Sequence, residues 1–346
     1  MRKLLILFVI VFSCIMPVSA MDFTAPEVPD RGEEVMPDSY DTFAEGLLFV
    51  LRKAIGAINP NLAAAGETCL SLVAVMVLTS LVSGTANGQE KTVQLVGTVM
   101  IGCLLLQQSG TFVKLSRDVI SEISSYGKLL LPVMAAALAA QGGTTASAGI
   151  YAGTVFFDTL LTNAVSGLII PLVYIFIALS IANNALDNNA LKELRNFVKW
   201  LITWVLKGTL YIFTGYITIT GVVSGSADAA AIKAAKIALS GVVPVVGSII
   251  SDASEAILVS AGVMKSTVGI YGLLATISLC TGPFIQIGAQ YLLLKATAAV
   301  CRVISGEKPT ALIRDFSAAM GFLLAMIGTM CLILLISTVC FMKGVG

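Results

Sequence analysis

Apolar residues in this chain come in long runs, with the polar residues gathered in short stretches between them. Six runs approach or exceed the roughly 20 residues that a spanning helix needs. They cover 62–84, 93–113, 165–182, 200–222, 268–294 and 316–341. Two further apolar stretches are broken: Gln141-Gly142-Gly143-Thr144-Thr145 interrupts 129–161, and Pro244 interrupts 229–261. The pattern predicts an all-α polytopic membrane protein with about six transmembrane helices plus two re-entrant or interfacial helical hairpins. Residues 93–182 and 200–294 each read as span, hairpin, span, and Pro171 and Pro283 interrupt the third element of each. Such parallel repeats recur in transporters; chance echoes of an apolar composition give the same appearance.

Composition agrees. Of 346 residues, 57% are hydrophobic and 12% charged, with a mean hydropathy of +0.94. A soluble domain has about 25% charged residues, so this chain lacks the polar surface to face water on all sides. An acid inside an apolar run therefore stands out.

The N-terminus reads as a secretory signal over 1–20. Arg2 and Lys3 precede an apolar core at 4–15, and Val18-Ser19-Ala20 offers small residues for cleavage. The alternative is an uncleaved first helix. Residues 21–60 then form an acidic extracytoplasmic leader, partly disordered. Within 21–46, Asp22, Glu27, Asp30, Glu33, Glu34, Asp38, Asp41 and Glu45 face Arg31 alone, and Pro26, Pro29 and Pro37 break helices. The plainest expectation is a solvated tail. Residues 61–346 form the transmembrane domain.

Basic residues suggest the cytoplasmic loops. Lys192, Arg195 and Lys199 occupy one, and Lys295, Arg302, Lys308 and Arg314 another. Both broken stretches and the C-terminus then face outward. A loop at 114–128 carrying Lys114, Arg117 and Lys128 would also lie outside, which opposes this topology.

The stretch Gly241-Val242-Val243-Pro244-Val245-Val246-Gly247 is symmetric about its proline, and so are the charges around it. Lys236 and Asp252 each stand eight residues from Pro244, and Lys233 and Glu255 each stand eleven away. Two short antiparallel helices turned at Pro244, freed by Gly241 and Gly247, would bring Lys236 level with Asp252 and Lys233 level with Glu255. Each arm reaches roughly 16 Å, about half the hydrocarbon core. The functional reading is a gate or pore-lining element, because irregular backbone at membrane depth must be buried in protein or line water. The other reading is an interfacial hairpin with solvated charges. Lys207, within 200–222, is near enough to the cytoplasmic end to snorkel out.

Several chemistries drop out. There is no histidine, hence no Ser-His-Asp set and no HExxH, and no Gly-rich loop ends in Gly-Lys-Ser/Thr. Lys265 and Ser266 are adjacent, a poor arrangement for nucleophile and base. The seven cysteines show no CxxC pairing and read as small buried apolar residues. No enzyme activity, metal, cofactor or nucleic-acid partner is expected.

The run SGSADAAAIKAAKIAL from Ser224, leading into VVPVVGSIISDASE from Val242, resembles the stage III sporulation protein AE family of endospore-forming bacteria. The block 221–272 is the most specific part, and the likeness extends from the first span to the last. The resemblance implies a mother-cell product in a multi-protein assembly spanning the two membranes between mother cell and forespore. That assembly looks like a specialised secretion system or feeding channel, with an ATPase-like subunit and ring-forming membrane partners. It supports late forespore gene expression. This chain would be its large polytopic component, in the mother-cell membrane around the forespore, with no catalytic residues to carry over. Three functions follow: part of the translocation path, a structural membrane scaffold recruiting the ring-forming partners, or an autonomous solute permease. The last ranks lowest because few charges lie in the apolar runs.

Overall fold

The computed structural model describes residues 26–37, 42–56, 59–85, 89–140, 144–186, 188–219, 267–305 and 307–343. Every regular element among them is helical. α1 is the single turn Asp30–Glu33, α2 Phe43–Gly56, α3 Asn59–Thr85, α4 Glu90–Ala140 and α5 Thr144–Ala164. A π turn, Val165–Ile169, leads into α6, Ile170–Leu186; then come α7, Asn189–Ile219, α8, Thr267–Ser305, and α9, Glu307–Lys343. The π turn has a local cause. Pro171 has no N–H for the carbonyl of Gly167, and the chain widens just before it instead of breaking.

Five described helical stretches are long and apolar enough to cross a membrane: Ala65–Thr85, Thr92–Ala136, Ala148–Leu186, Val268–Ile304 and Thr310–Met342. The sixth expected run, 200–222, extends beyond the described part of α7. That helix covers 200–219, but Lys207 and the threonines at 203, 209, 214 and 218 dilute its apolar character.

The expected loop at 114–128 is the middle of α4. Ser116, Val119, Ile120, Ile123, Tyr126 and Leu130 are buried at helical spacing, while Lys114, Arg117 and Lys128 are exposed. The charges fall on one face, so the helix continues through them. The bases are thus carried by a helix rather than by a loop. In the same way 144–186 runs as one rod, so residues 93–182 form two long helices joined at 141–143 rather than span, hairpin, span. The second broken stretch, 229–261, lies outside the described residues.

α9 is the axis of the bundle. It touches α4, α5, α6, α7 and α8, and 94% of its most apolar stretch is buried inside the protein, against 11% for Ala65–Thr85 on α3. α9 therefore needs no lipid contact, whereas α3 turns Leu70, Leu78, Leu81 and Val82 outward.

Cross-contacts fix the relative heights. Gly97 meets Thr79 and Gly102 meets Ile181 near the end where α3 gives way to α4, α6 to α7 and α8 to α9. At the opposite end Gly127 meets Leu334, and Gly269 meets Met342. The leader is docked rather than solvated over 26–37. Val28 and Gly32 are buried, Gly32 lies against Leu279 of α8, and Arg31 pairs with Glu122 of α4 at 3.4 Å.

Candidate functional site

All seven residues of the predicted charged hairpin, Lys233, Lys236, Gly241, Pro244, Gly247, Asp252 and Glu255, lie outside the described residues. What the bundle itself provides is a set of polar contacts in its interior.

The deepest involves α4, α5 and α9. On α5, Thr154, Asp158 and Thr162 recur every four residues and so share one face. Asp158 and Thr154 are buried. Ser124 of α4 donates its hydroxyl to Asp158 Oδ2 at 2.8 Å. Thr154 contacts Ser337 of α9, hydroxyl to hydroxyl, at 2.7 Å. Thr162 Oγ1 is buried with no hydrogen-bond partner. Asp158 thus stands in the interior of a candidate span with a neutral hydroxyl as its hydrogen-bond donor and no ion pair among the described residues. Buried acids are ordinarily matched by a cation or several donors, which marks this position out.

A second contact ties three spans together. Gln290 of α8 donates from Nε2 to Gln108 Oε1 of α4 at 2.8 Å. Gln108 donates in turn to Thr68 Oγ1 of α3 at 2.8 Å. Gln290 Oε1 is left buried and unpaired.

The third closes the end with the short turns. Asp315, near the start of α9, pairs with Arg195 of α7 and accepts from Asn184 Nδ2 of α6 at 3.4 Å. Arg195 was expected in a cytoplasmic loop; it belongs to the first turns of a helix and reaches inward.

Lys207 is half-buried on α7. The glycine pair 149 and 153 receives a neighbour: Tyr216 of α7 covers Gly153 and donates its hydroxyl to Gly149 O at 2.8 Å. Asp158 carries the one signal that sequence offers for such a site, an acid within an apolar run. Its hydrogen-bond partner comes from α4 and that of Thr154, one turn away, from α9, helices that hydropathy does not bring together.

Among the described residues no group of three or more His, Cys, Asp or Glu side chains could hold a metal. None of the described cysteines is in a disulfide: Cys280, Cys301, Cys331 and Cys340 are buried, Cys69 half-buried and Cys103 exposed.

Long apolar helices around a buried axial helix, with an interior acid and a closed charged end, define a polytopic helical membrane protein with a polar interior. The family model for stage III sporulation protein AE matches residues 40–344, and the chain belongs to that family. It is similar to the stage III sporulation protein AE of Bacillus subtilis (strain 168), at 24% identity over 203 residues, 59% of this chain and 51% of the relative. The match thus spans about half the length of that curated relative. No solved structure matches the chain.

Proposed function

We propose that this chain forms part of the translocation path of a sporulation-specific channel or secretion apparatus linking mother cell and forespore. The observation that carries the reading is Asp158, buried against α4 with the Ser124 hydroxyl as its hydrogen-bond donor and with Lys128 acting on it electrostatically without forming an ion pair. An interior acid is expensive to keep in a membrane bundle and commonly marks a path for ions or polar substrates. Family membership supports the sporulation context. The proposed setting is the mother-cell membrane, with an ATPase-like subunit supplying energy and ring-forming membrane proteins continuing the path. The chain itself would carry no catalytic activity.

The proposed topology puts the end with the short turns in the cytoplasm and the leader outside. Lys192, Lys199, Arg302 and Arg314 gather at the cytoplasmic end. The docked leader meets Leu279 and Glu122, both nearer the other end of their helices.

A scaffold role is the second reading, favoured by the length of α4. Its 51 residues extend about 76 Å, and a 40° tilt still leaves about 58 Å along the membrane normal. The hydrocarbon core is about 30 Å thick, so the rod projects from the bilayer and offers partners a surface.

Asp158→Asn in a sporulating host separates the two. Loss of spores at a normal protein level supports the path. Unchanged sporulation sinks it and leaves the scaffold.

A further inference from the structure

The sequence contains two tryptophans, and the fold puts both on one exposed face of α7. Trp200 is 56% and Trp204 61% exposed, and Phe197 beside them is 54% exposed. The three rings form a ladder. Phe197 and Trp200 stack with centroids 5.9 Å apart and planes 29° from parallel; Trp200 and Trp204 follow at 6.2 Å and 25°. Spacings of three and four residues on a helix produce that alignment. Tyr211, also exposed, continues the same face inward.

A second stripe runs beside the first. Lys192 and Lys199 are exposed and Lys207 is half-buried, with spacings of seven and eight residues that keep them on one side of the helix. Arg195 is taken up by Asp315, whereas none of the three lysines forms an ion pair with a described residue. The cations available to an outside partner therefore adjoin the aromatic ladder.

The neighbouring surface is apolar. Tyr174 and Ile175 of α6, both exposed, stand about as far before the 187–188 turn as Trp200 stands after it. Measured along the two packed helices, they stand at about the height of Trp200. In the other direction Asn183 and Asn184 and the turn itself are polar. The ladder thus sits where an apolar girdle gives way to a polar, basic end.

We propose that this face of α7 is an interfacial anchor for anionic phospholipids, with the rings among the glycerol and upper acyl groups and Lys192, Lys199 and Lys207 reaching the headgroups. Indole rings favour the boundary between headgroup and hydrocarbon because one edge is polar and the body apolar. Lysine stems lie along apolar surface while the ammonium reaches the phosphates. The positive stripe calls for an anionic partner, and the exposed apolar surface beside it selects a lipid leaflet over an acidic peptide. This inference does not depend on the translocation reading.

The test uses the full-length wild-type protein in vesicles, where intrinsic tryptophan fluorescence reports on this face alone. Vesicles are prepared with phosphatidylcholine or phosphatidylglycerol brominated either near the headgroup end or near the tail end of the acyl chain. The expected result is strong loss of fluorescence with the headgroup-proximal label, weaker loss with the tail label, and little loss with acrylamide in the water. Brominated phosphatidylglycerol should quench more than brominated phosphatidylcholine, and the difference should vanish in the Lys192→Gln, Lys199→Gln, Lys207→Gln triple variant. Strong acrylamide quenching without lipid quenching would overturn the proposal, as would strongest quenching by the tail label. Equal quenching by the two lipids in the wild type would overturn its anionic preference.

Discussion

Among the described glycines, Gly153 has the closest neighbour across a helix contact. Any side chain at residue 153 would enter the Tyr216 ring, so Gly153→Leu must separate α5 from α7 and break the Tyr216–Gly149 bond. Overpacking of this kind typically costs about 1–3 kcal/mol. Tyr216→Phe removes only the hydrogen bond and should cost about 0.5–1.5 kcal/mol. Thermal unfolding in detergent should rank Gly153→Leu well below Tyr216→Phe; the reverse order would mean that α5 and α7 are not held at this point. The glutamine relay gives a sharper comparison. Gln108 both accepts from Gln290 and donates to Thr68, and Gln290 already has one orphaned oxygen. Gln108→Leu strands the fully buried Gln290 amide, a loss of about 1–3 kcal/mol. Replacing both glutamines by Leu should recover part of that loss in the same melting assay.

Among the elements, α7 and α9 are coupled by the Arg195–Asp315 pair, whose side chains are 13% and 12% exposed. Removing one partner of a buried pair costs about 3–5 kcal/mol because the other charge stays buried and unmatched. Arg195→Ala should therefore lower the melting temperature markedly, and Arg195→Ala with Asp315→Ala should be milder than Arg195→Ala alone. The leader clamp is different in kind. Arg31 and Glu122 are each about a third exposed, at 34% and 31%, so their pair contributes about 0–1 kcal/mol. Arg31→Ala should leave the melting temperature nearly unchanged yet speed proteolysis within 26–37, since less energy then holds the strap to α8. An unchanged cleavage rate would assign the docking to Val28 and Gly32 instead.

At the scale of the molecule, α9 is sheathed by five other helices and the apolar girdle lies on its neighbours. Lipid contact thus falls to α3, the first part of α4, α6, the outer face of α7 and the later part of α8, where Leu78, Val96, Ile175, Ile212 and Val300 are exposed. The proposed topology can be read by thiol labelling in intact cells. With the native thiols removed, Tyr151→Cys, exposed near the 141–143 end, should react with a membrane-impermeant maleimide. Asn188→Cys, exposed in the α6–α7 turn, should react only after permeabilisation. The opposite pattern would invert the bundle.

The sequence by itself determined the membrane-embedded, all-helical character of the described chain, because transfer cost depends on composition and hardly on neighbours. The block from 221 to 272 pointed to the family, although its seven charged-hairpin residues fall outside what the structure describes. Hydropathy did not separate α9 from a lipid-facing span, since a protein interior and a lipid tail are equally apolar solvents for leucine. It also misread 114–128 as a loop: five charges in fifteen residues look like a break until their helical spacing puts the buried residues on the opposite face. Only the tertiary structure decided that Asp158 meets Ser124, that Gly153 receives Tyr216, and that Asp315 answers Arg195. Each of these contacts joins residues 34 or more positions apart in sequence, and their energies exist only once the helices have packed.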